Sequence, residues 1–131
     1  MAGITARRVV VALDCPDARE LAEFYAAMLG WRIRDDAEYS AWVDVLPPED
    51  EPGAVALALA LACQTVPDFR APTWPEGPIA TQVHLDFYVD SIADSEPAVL
   101  AAGARRHDHQ PSSDGRFVVY LDAVGASVLS L

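Results

Sequence analysis

Residues 8–31, RVVVALDCPDARELAEFYAAMLGW, predict a strand that leads directly into a helix. Arg8–Asp14 is mostly β-branched and apolar, which is typical of a strand covered on both faces. Pro16 and Asp17 suit the first turn of a helix, and Gly30 can end that helix in a left-handed conformation. The helix must cover a sheet, because its apolar residues recur at helical spacing on one face, namely Leu21, Phe24, Tyr25, Met28 and Leu29.

Three further strands are predicted after this helix. Trp31–Arg34 and Tyr39–Leu46 have the composition of a hairpin around a short polar connection. Pro47–Gly53 is rich in proline and acid and is predicted to be a loop. In Ala54–Gln64, alanines alternate with bulkier apolar residues, and this period of two favours a strand over a helix. One face of that strand would be bulky and the other nearly bare, which would leave room for a ligand.

The second half of the chain repeats this order after a proline-rich linker, Val66–Pro78. The predicted elements are a strand at Thr81–Asp90, a helix within Ser91–Ala102, and strands at Arg105–His109, Gly115–Asp122 and Ala126–Leu131. Ser91 and Asp94 resemble a capping box, but Pro97 would break a helix that began so early. We therefore expect the regular helix to start near Asp94 or Ser95.

These elements predict one α+β domain built from two βαβββ modules. Module one covers about residues 7–65, a linker covers 66–79, and module two covers 80–131. Helices confined to one face of largely antiparallel sheets leave the opposite faces free to curl into a cup. The expected result is a curled mixed sheet with the helices on the outside.

Charge and composition exclude several classes of partner. The chain has 131 residues, 52% of them hydrophobic, and 20 acidic residues against 9 basic ones give a net charge of −11. Such a charge repels phosphate backbones and anionic lipid, so we expect neither nucleic acid nor a membrane as a partner. No apolar run approaches the roughly 20 residues that span a bilayer, and the N-terminal residues lack a secretory signal, which predicts a cytoplasmic protein.

The reactive side chains that the chain contains or lacks exclude several kinds of covalent and metal chemistry. Every basic residue is arginine, and the absence of lysine and asparagine excludes lysine Schiff bases and N-glycosylation. Cys15 and Cys63 are too few and too far apart for a disulfide scaffold or a Cys-x-x-Cys motif. We interpret both as small buried hydrophobic residues.

The predicted strand Thr81–Asp90 carries the most informative pattern. Its alternation places polar and aromatic residues on one side, namely Gln82, His84, Asp86 and Tyr88, and apolar residues on the other. The apolar side must meet the second helix, so the polar side would line the concavity between the modules. Arg116, Val118, Tyr120 and Asp122 are expected to do the same on a neighbouring strand. A few polar groups among apolar walls are typical of a small-molecule site.

Several motifs, taken in order along nearly the whole chain, resemble one family. They are Leu13-Asp14-Cys15-Pro16-Asp17, Phe24-Tyr25, Leu29-Gly30-Trp31, the segment from Gln64 to Phe69, Pro72-Thr73-Trp74-Pro75, His84-Leu85-Asp86-Phe87 and Asp122-Ala123-Val124-Gly125. In this order and spacing they resemble the glyoxalase-like branch of the vicinal oxygen chelate superfamily, which includes bleomycin-resistance proteins and extradiol dioxygenases. The resemblance implies a cup-shaped site built by two βαβββ modules, commonly in a homodimer.

The resemblance also implies where a metal would be held. Metal-dependent members of the superfamily place ligands at positions that correspond here to Val10, Gln64, His84 and Leu129. Valine and leucine cannot bind a metal, and one imidazole with one amide falls short of the three or four ligands of a zinc or iron site. We therefore expect no metal or other cofactor, although a divalent ion on an atypical ligand set stays an alternative.

Candidate site residues follow from this pattern. His84 could act as an acid or base oriented by Asp86, or it could contact a ligand without catalysis. Trp42, Trp74 and Tyr120 could stack on a planar ligand, with Trp74 as a lid in the proline-rich loop. The predicted ligand-binding set is Gln64, His84, Asp86, Trp42, Trp74, Tyr88, Arg116 and Tyr120. His107-Asp108-His109 has metal-binding spacing, but its polar surroundings favour a solvated strand end.

Three functions remain open at this point. The first is a metal-independent protein that binds a hydrophobic or aromatic metabolite or antibiotic, as the bleomycin-resistance proteins hold their drug. The second is an enzyme, either a lyase, isomerase or epimerase that uses His84 and Asp86, or a metalloenzyme with an unusual ligand set. The third is a dimeric scaffold or regulatory subunit that has no ligand.

Overall fold

The computed structural model describes residues 3–35, 38–49 and 59–131. Within these ranges the chain forms eight strands and two helices. In chain order they are β1 (Val9–Cys15), α1 (Ala18–Leu29), β2 (Arg32–Asp35), β3 (Trp42–Leu46), β4 (Leu59–Thr65), β5 (Leu85–Asp86), α2 (Ile92–Ala101), β6 (Arg105–Arg106), β7 (Val119–Leu121) and β8 (Val128–Ser130).

Local chemistry sets both ends of α1, as predicted. Asp17 has an extended backbone, and its carboxylate accepts a hydrogen bond from the Glu20 backbone N–H at 3.1 Å. Gly30 adopts a left-handed conformation with φ of 69° and donates its N–H to the carbonyl of Ala26. A side chain at Gly30 would be strained in this conformation, so the glycine ends the helix at this point.

The strands form two four-stranded mixed sheets. In the first sheet the order is β1-β4-β3-β2, and in the second it is β5-β8-β7-β6. The first strand of each module pairs in parallel with the last, and the other neighbours are antiparallel. Each module therefore has the predicted βαβββ topology, and the α+β fold class is confirmed.

One apolar core joins the two modules. Leu21, Phe24 and Tyr25 of α1 are buried together with Tyr120 and Leu129 of the second sheet. The ring of Tyr25 also lies 6.5 Å from the ring of Phe87, between centroids. Burying a large apolar side chain contributes about 1.5–3 kcal/mol, so these shared residues stabilise both modules at once.

β1 differs from its prediction, because it is an edge strand that the protein covers on one face only. Leu13 and Cys15 are buried in the core, whereas Val9 and Val10 are 55% and 42% exposed. The unbroken apolar run was interpreted as a strand covered on both faces, but one face of β1 meets the core and the other is open to solvent. β1 also lies at the edge of the first sheet, beside β4. The strand that ends at Gln64 was predicted to have a nearly bare alanine face that leaves room for a ligand. Ala60 and Ala62 on that face are buried, so it is not an open wall.

The second module contains shorter strands than predicted. The pattern over Thr81–Asp90 yields a strand only at Leu85–Asp86, and Arg105–His109 only at Arg105–Arg106. Side chains alternate along any extended segment, even where no neighbouring strand forms hydrogen bonds with it. The sequence pattern therefore predicts longer strands than the structure contains. Gly115–Asp122 is likewise reduced to Val119–Leu121.

α2 begins earlier than expected, at Ile92. Ser91 is its N-cap, and the Ser91 hydroxyl accepts a hydrogen bond from the backbone N–H of Asp94 at 3.1 Å. The prediction of a start near Asp94 was wrong, because this cap satisfies the first turn and Pro97 is accommodated inside the helix.

Parts of three predicted segments lie outside the described residues. Residues 36–37 belong to the predicted hairpin connection, and residues 50–58 belong to the predicted loop and to the predicted fourth strand.

Candidate ligand-binding site

A cavity of about 450 Å³ lies against the second sheet, and we call it cavity one. Its polar groups come from His84, Asp86, Arg116 and Ser130. Its apolar walls include Trp74, Phe117, Val119, Val128 and Leu131. The volume falls within the roughly 300–1,000 Å³ that is usual for small-molecule sites.

The pairing of β5 with β8 positions two of the polar groups. Asp86 lies beside Ser130 in the parallel register, and the Ser130 hydroxyl donates a hydrogen bond to Oδ1 of Asp86 at 2.5 Å. Nε2 of His84 lies 3.5 Å from the same Oδ1. Asp86 therefore connects a hydroxyl to an imidazole on the cavity wall.

Solvent reaches both members of the His84–Asp86 pair. Their side chains are 59% and 50% exposed. An ion pair this exposed contributes at most about 1 kcal/mol and only when the imidazole carries a proton. The arrangement orients His84 toward Asp86 but leaves the imidazole open to a ligand in cavity one.

Trp74 reaches cavity one from the linker, and two histidines hold its ring. The indole makes edge contacts with His107 and His109 at centroid distances of 4.8 and 5.3 Å. The backbone N–H of His109 donates to Nδ1 of His107 at 2.9 Å. The histidine pair thus supports the tryptophan rather than forming part of a metal-binding group among the residues of the described ranges.

Arg116 and Phe117 enter from the turn before β7. The Ser112 hydroxyl donates to the carboxylate of Asp114 and accepts from the Arg116 backbone N–H. The hydrogen bond from Ser112 lowers the pKa of Asp114, so this turn keeps a carboxylate beside Arg116. Nε of Arg116 lies 3.7 Å from that carboxylate, and the guanidinium is otherwise open to solvent.

Tyr120, predicted to contact a ligand, does not line cavity one. Its side chain is wholly buried and points into the core, and its hydroxyl donates to Oε2 of Glu96 at 2.5 Å. Burial is the main cause that raises the pKa of Tyr120, and the hydrogen bond to the Glu96 carboxylate raises it further. Val118 and Asp122 are buried in the same way, whereas Phe117 and Val119 line the cavity. The side of the strand that carries Phe117 and Val119 therefore meets the cavity, and Arg116 is the one member of the predicted face that lines it.

The other predicted residues divide into two groups. Trp74, His84, Asp86, Tyr88 and Arg116 all line cavity one, with Tyr88 99% exposed. Gln64 and Trp42 lie on the first sheet, paired with each other in register, and neither lines that cavity. The indole N–H of Trp42 instead donates to Oδ1 of Asp44 at 2.9 Å.

Sequence reasoning missed Ser130, Val128, Val119 and Phe117 as lining residues. A strand was predicted at Ala126–Leu131, but Leu129 was the one residue in it that was assigned to the site, through the family resemblance. Leu129 is wholly buried and belongs to the core, although it also borders the cavity. The signal that was available is the polar residue Ser130 in an otherwise apolar final strand.

Comparisons with known proteins agree with this architecture. A family model for a glyoxalase-like domain matches residues 10–128. The chain belongs to this family. Membership places it in the vicinal oxygen chelate superfamily, as its motifs indicated. No curated protein shows a significant match.

Solved structures of the same fold resemble this glyoxalase-like protein at low identity. The fosfomycin resistance protein FosX from Listeria monocytogenes is 12% identical with a TM-score of 0.64, over 100% of this chain and 90% of its own. A glyoxalase/dioxygenase from Nostoc punctiforme is 18% identical with a TM-score of 0.62, over 99% and 95%. A glyoxalase/bleomycin resistance protein from Albidiferax ferrireducens is 14% identical with a TM-score of 0.59, over 95% and 96%. At these identities the likeness shows the fold alone.

The glyoxalase-like family often uses a divalent metal, and the residues of this chain fit one poorly. Val10 and Leu129 have no donor atom in their side chains, and Gln64 does not line cavity one, where His84 lies. Near His84, the carboxylate of Asp86 is already hydrogen-bonded by Ser130. Within residues 3–35, 38–49 and 59–131, no three His, Cys, Asp or Glu side chains are grouped to hold a metal ion.

Helix length adds one further finding about this glyoxalase-like protein. Neither helix in the described part of the chain is long and apolar enough to cross a bilayer. The longer of the two, α1, has 12 residues and keeps an exposed polar face.

Proposed function

We propose that this protein binds a small hydrophobic or aromatic organic molecule in cavity one, without a metal ion. The observation that carries the proposal is the composition of the cavity. Apolar walls surround a short row of polar groups, which is the usual form of a site for a drug-sized ligand. The apolar area supplies affinity, and the polar groups fix the orientation of the ligand.

The side chains favour a particular kind of ligand. Trp74 and Phe117 offer aromatic surface for a planar ring. Arg116 offers a guanidinium to an anionic or hydrogen-bond-accepting substituent, and the imidazole of His84 can hydrogen-bond the other end. We therefore propose a ligand with an aromatic or aliphatic body and one polar substituent.

Two of the similar structures support antibiotics as candidates. One is a fosfomycin resistance protein, and another is a glyoxalase/bleomycin resistance protein. A protein that sequesters a drug needs a pocket and no reaction, which agrees with the poor fit for a metal. Antibiotics therefore belong in the ligand screen beside aromatic metabolites.

A thermal-shift screen of purified, chelator-treated protein tests the proposal. We expect at least one metabolite or antibiotic to raise the melting temperature, since a ligand that binds only the folded state stabilises it. Binding should persist in the presence of chelator. The proposal fails if stabilising ligands appear only after zinc, nickel or iron is added, or if cavity one is found filled by side chains.

A second candidate is a metal-free lyase, isomerase or epimerase with His84 as acid or base. The supporting observation is the position of Nε2 of His84, 3.5 Å from Asp86 on an open cavity wall. Incubating a bound ligand in D₂O would reveal proton abstraction as loss of a carbon-bound proton signal. We expect that exchange to disappear in His84→Gln while binding persists; exchange that is equal in both proteins excludes this role.

We also propose a homodimer. The apolar edge of β1 supports it, since Val9 and Val10 are exposed there. Light scattering after size-exclusion chromatography tests it directly, and a monomer at all concentrations would contradict it. The cytoplasmic location stays a prediction from the sequence.

A further inference from the structure

A second cavity, of about 260 Å³, lies where the linker passes between the modules, and we call it cavity two. The end of β1 forms one wall through Ala12 and Asp14. The linker and the residues before β5 form the others, through Phe69, Arg70 and residues 79–83. Cavity two shares no lining residue with cavity one, so it is a separate site.

One wall of cavity two contains an unsatisfied polar atom. The hydroxyl oxygen of Thr81 is buried and has no hydrogen-bond partner among the residues that the structure describes. Buried polar atoms are nearly always paired, because burial removes their bonds to water. Solvent does not reach this oxygen, so a ligand in cavity two cannot bond to it, and the unpaired hydroxyl lowers the stability of the fold instead.

Two opposite charges also border cavity two. Asp14 and Arg70 both line it, and neither forms an ion pair or side-chain hydrogen bond within the described ranges. A carboxylate and a guanidinium at one small cavity complement a ligand that carries both charges. The net charge of −11 adds to this selection, since it repels a simple anion but not a neutral zwitterion.

The remaining walls limit the size and character of the ligand. Phe69, Pro72, Ile79 and Val83 present apolar surface. The volume lies below the usual range for drug-sized ligands, which favours a molecule of amino-acid size. An aliphatic side chain would contact the apolar walls while its charged ends meet Asp14 and Arg70.

We propose that cavity two is a binding site for a small zwitterionic α-amino acid with an aliphatic side chain. The ammonium group faces Asp14, the carboxylate faces Arg70, and the aliphatic side chain contacts the apolar walls. The site does not depend on the function proposed for cavity one. Its position beside the linker that supplies Trp74 places it next to, but outside, that first site.

Titration of ¹⁵N-labelled protein with L-valine tests this proposal. We expect saturable shifts of amide signals at residues 12–14, 69–70 and 79–83, and much smaller shifts around cavity one. N-acetyl-L-valine and L-valinamide each lack one charge and should bind at least tenfold more weakly. The proposal is overturned if neither L-valine, L-leucine nor L-alanine gives saturable shifts, or if the blocked analogues bind equally well.

Matched variants test the assignment of the groups. Arg70→Gln and Asp14→Asn should each weaken L-valine binding at least tenfold, whereas Arg32→Gln, at the opposite edge of the first sheet, should not. Thr81→Val should leave L-valine binding unchanged and raise the melting temperature of the free protein, because it removes a buried, unpaired hydroxyl that the ligand does not contact. Binding that survives both charge substitutions contradicts the proposal.

Discussion

A chain of buried polar side chains connects α1 to the second sheet. The hydroxyl of Tyr25 donates to Oγ of Ser127 at 2.7 Å, and the Ser127 hydroxyl in turn donates to the carboxylate of Asp122. Asp122 also accepts from the backbone N–H groups of Val124 and Ala126 at 2.9 and 3.0 Å. Each group is satisfied by its neighbour, so the chain fixes both the turn before β8 and the position of α1 over the second sheet.

Replacing Tyr25 by phenylalanine tests this connection. Tyr25→Phe removes one buried hydroxyl and leaves Ser127 without that partner, which should lower the free energy of unfolding by about 1–2 kcal/mol. Urea denaturation measures the change. The control is Tyr88→Phe at a side chain that is 99% exposed, where we expect a change within about 0.5 kcal/mol. Equal effects at the two positions would show that the buried hydrogen bond contributes nothing.

The two buried thiols predict how stability depends on pH. Burial raises the pKa of Cys15 from 9.0 to about 11 and that of Cys63 to about 12. Below pH 9 the thiols are protonated in both states and have no effect. As pH rises above 9, the unfolded chain loses these protons and the folded chain keeps them, so stability falls by up to about 1.4 kcal/mol per pH unit for each thiol.

Denaturation at several pH values between 8 and 10 checks this sign. The free energy of unfolding should decrease over that interval, and the slope should be smaller in Cys63→Ala, although that variant is less stable overall. The interval stops at pH 10 because Tyr25 and Tyr120, whose pKa values burial also raises, contribute above it. A slope that is unchanged in Cys63→Ala would contradict the account of the thiols.

At the level of elements, α1 was the most predictable feature. Its ends were predicted correctly because Asp17 and Gly30 act through local backbone chemistry that the sequence displays directly. Strand faces were harder to predict. Alternation shows that a strand has two faces, but which face meets the core depends on partners distant in sequence. Tyr120 therefore lies in the core, whereas His84 and Asp86 line cavity one.

Pro97 gives a test at the level of α2. The proline lies inside the helix and cannot donate a hydrogen bond to the carbonyl of Ala93. Because Pro97 is exposed, Pro97→Ala should lose no packing. It should raise the free energy of unfolding by about 1 kcal/mol, after the greater freedom of the unfolded chain is subtracted.

The matched control for this substitution is Pro111→Ala in an exposed loop. That change relaxes the unfolded chain in the same way but restores no helical hydrogen bond, so stability should stay constant or decrease slightly. Chemical denaturation of both variants is sufficient. If the free energy of unfolding falls equally in Pro97→Ala and Pro111→Ala, the restored hydrogen bond does not stabilise α2.

Over the whole molecule, the sequence predicted the architecture better than the site. The repeated order of elements is a property of each module, and it was visible in each half separately. The site depends on how the modules and the linker meet. Trp74 and His84 both line cavity one. Gln64 and Trp42 were assigned to the same cleft because a common cup was assumed. In the structure they stay on the first sheet, away from cavity one.

Calorimetric titration of the best ligand from the screen into two tryptophan variants tests the central claim most directly. Trp74 lines cavity one and Trp42 does not. Trp74→Ala should weaken binding at least tenfold, since loss of an aromatic contact surface costs on the order of 2 kcal/mol. Trp42→Ala should bind as the wild type does, with or without chelator. Equal affinity in the wild type and Trp74→Ala, or loss of binding in Trp42→Ala alone, would contradict the assignment of the ligand to cavity one.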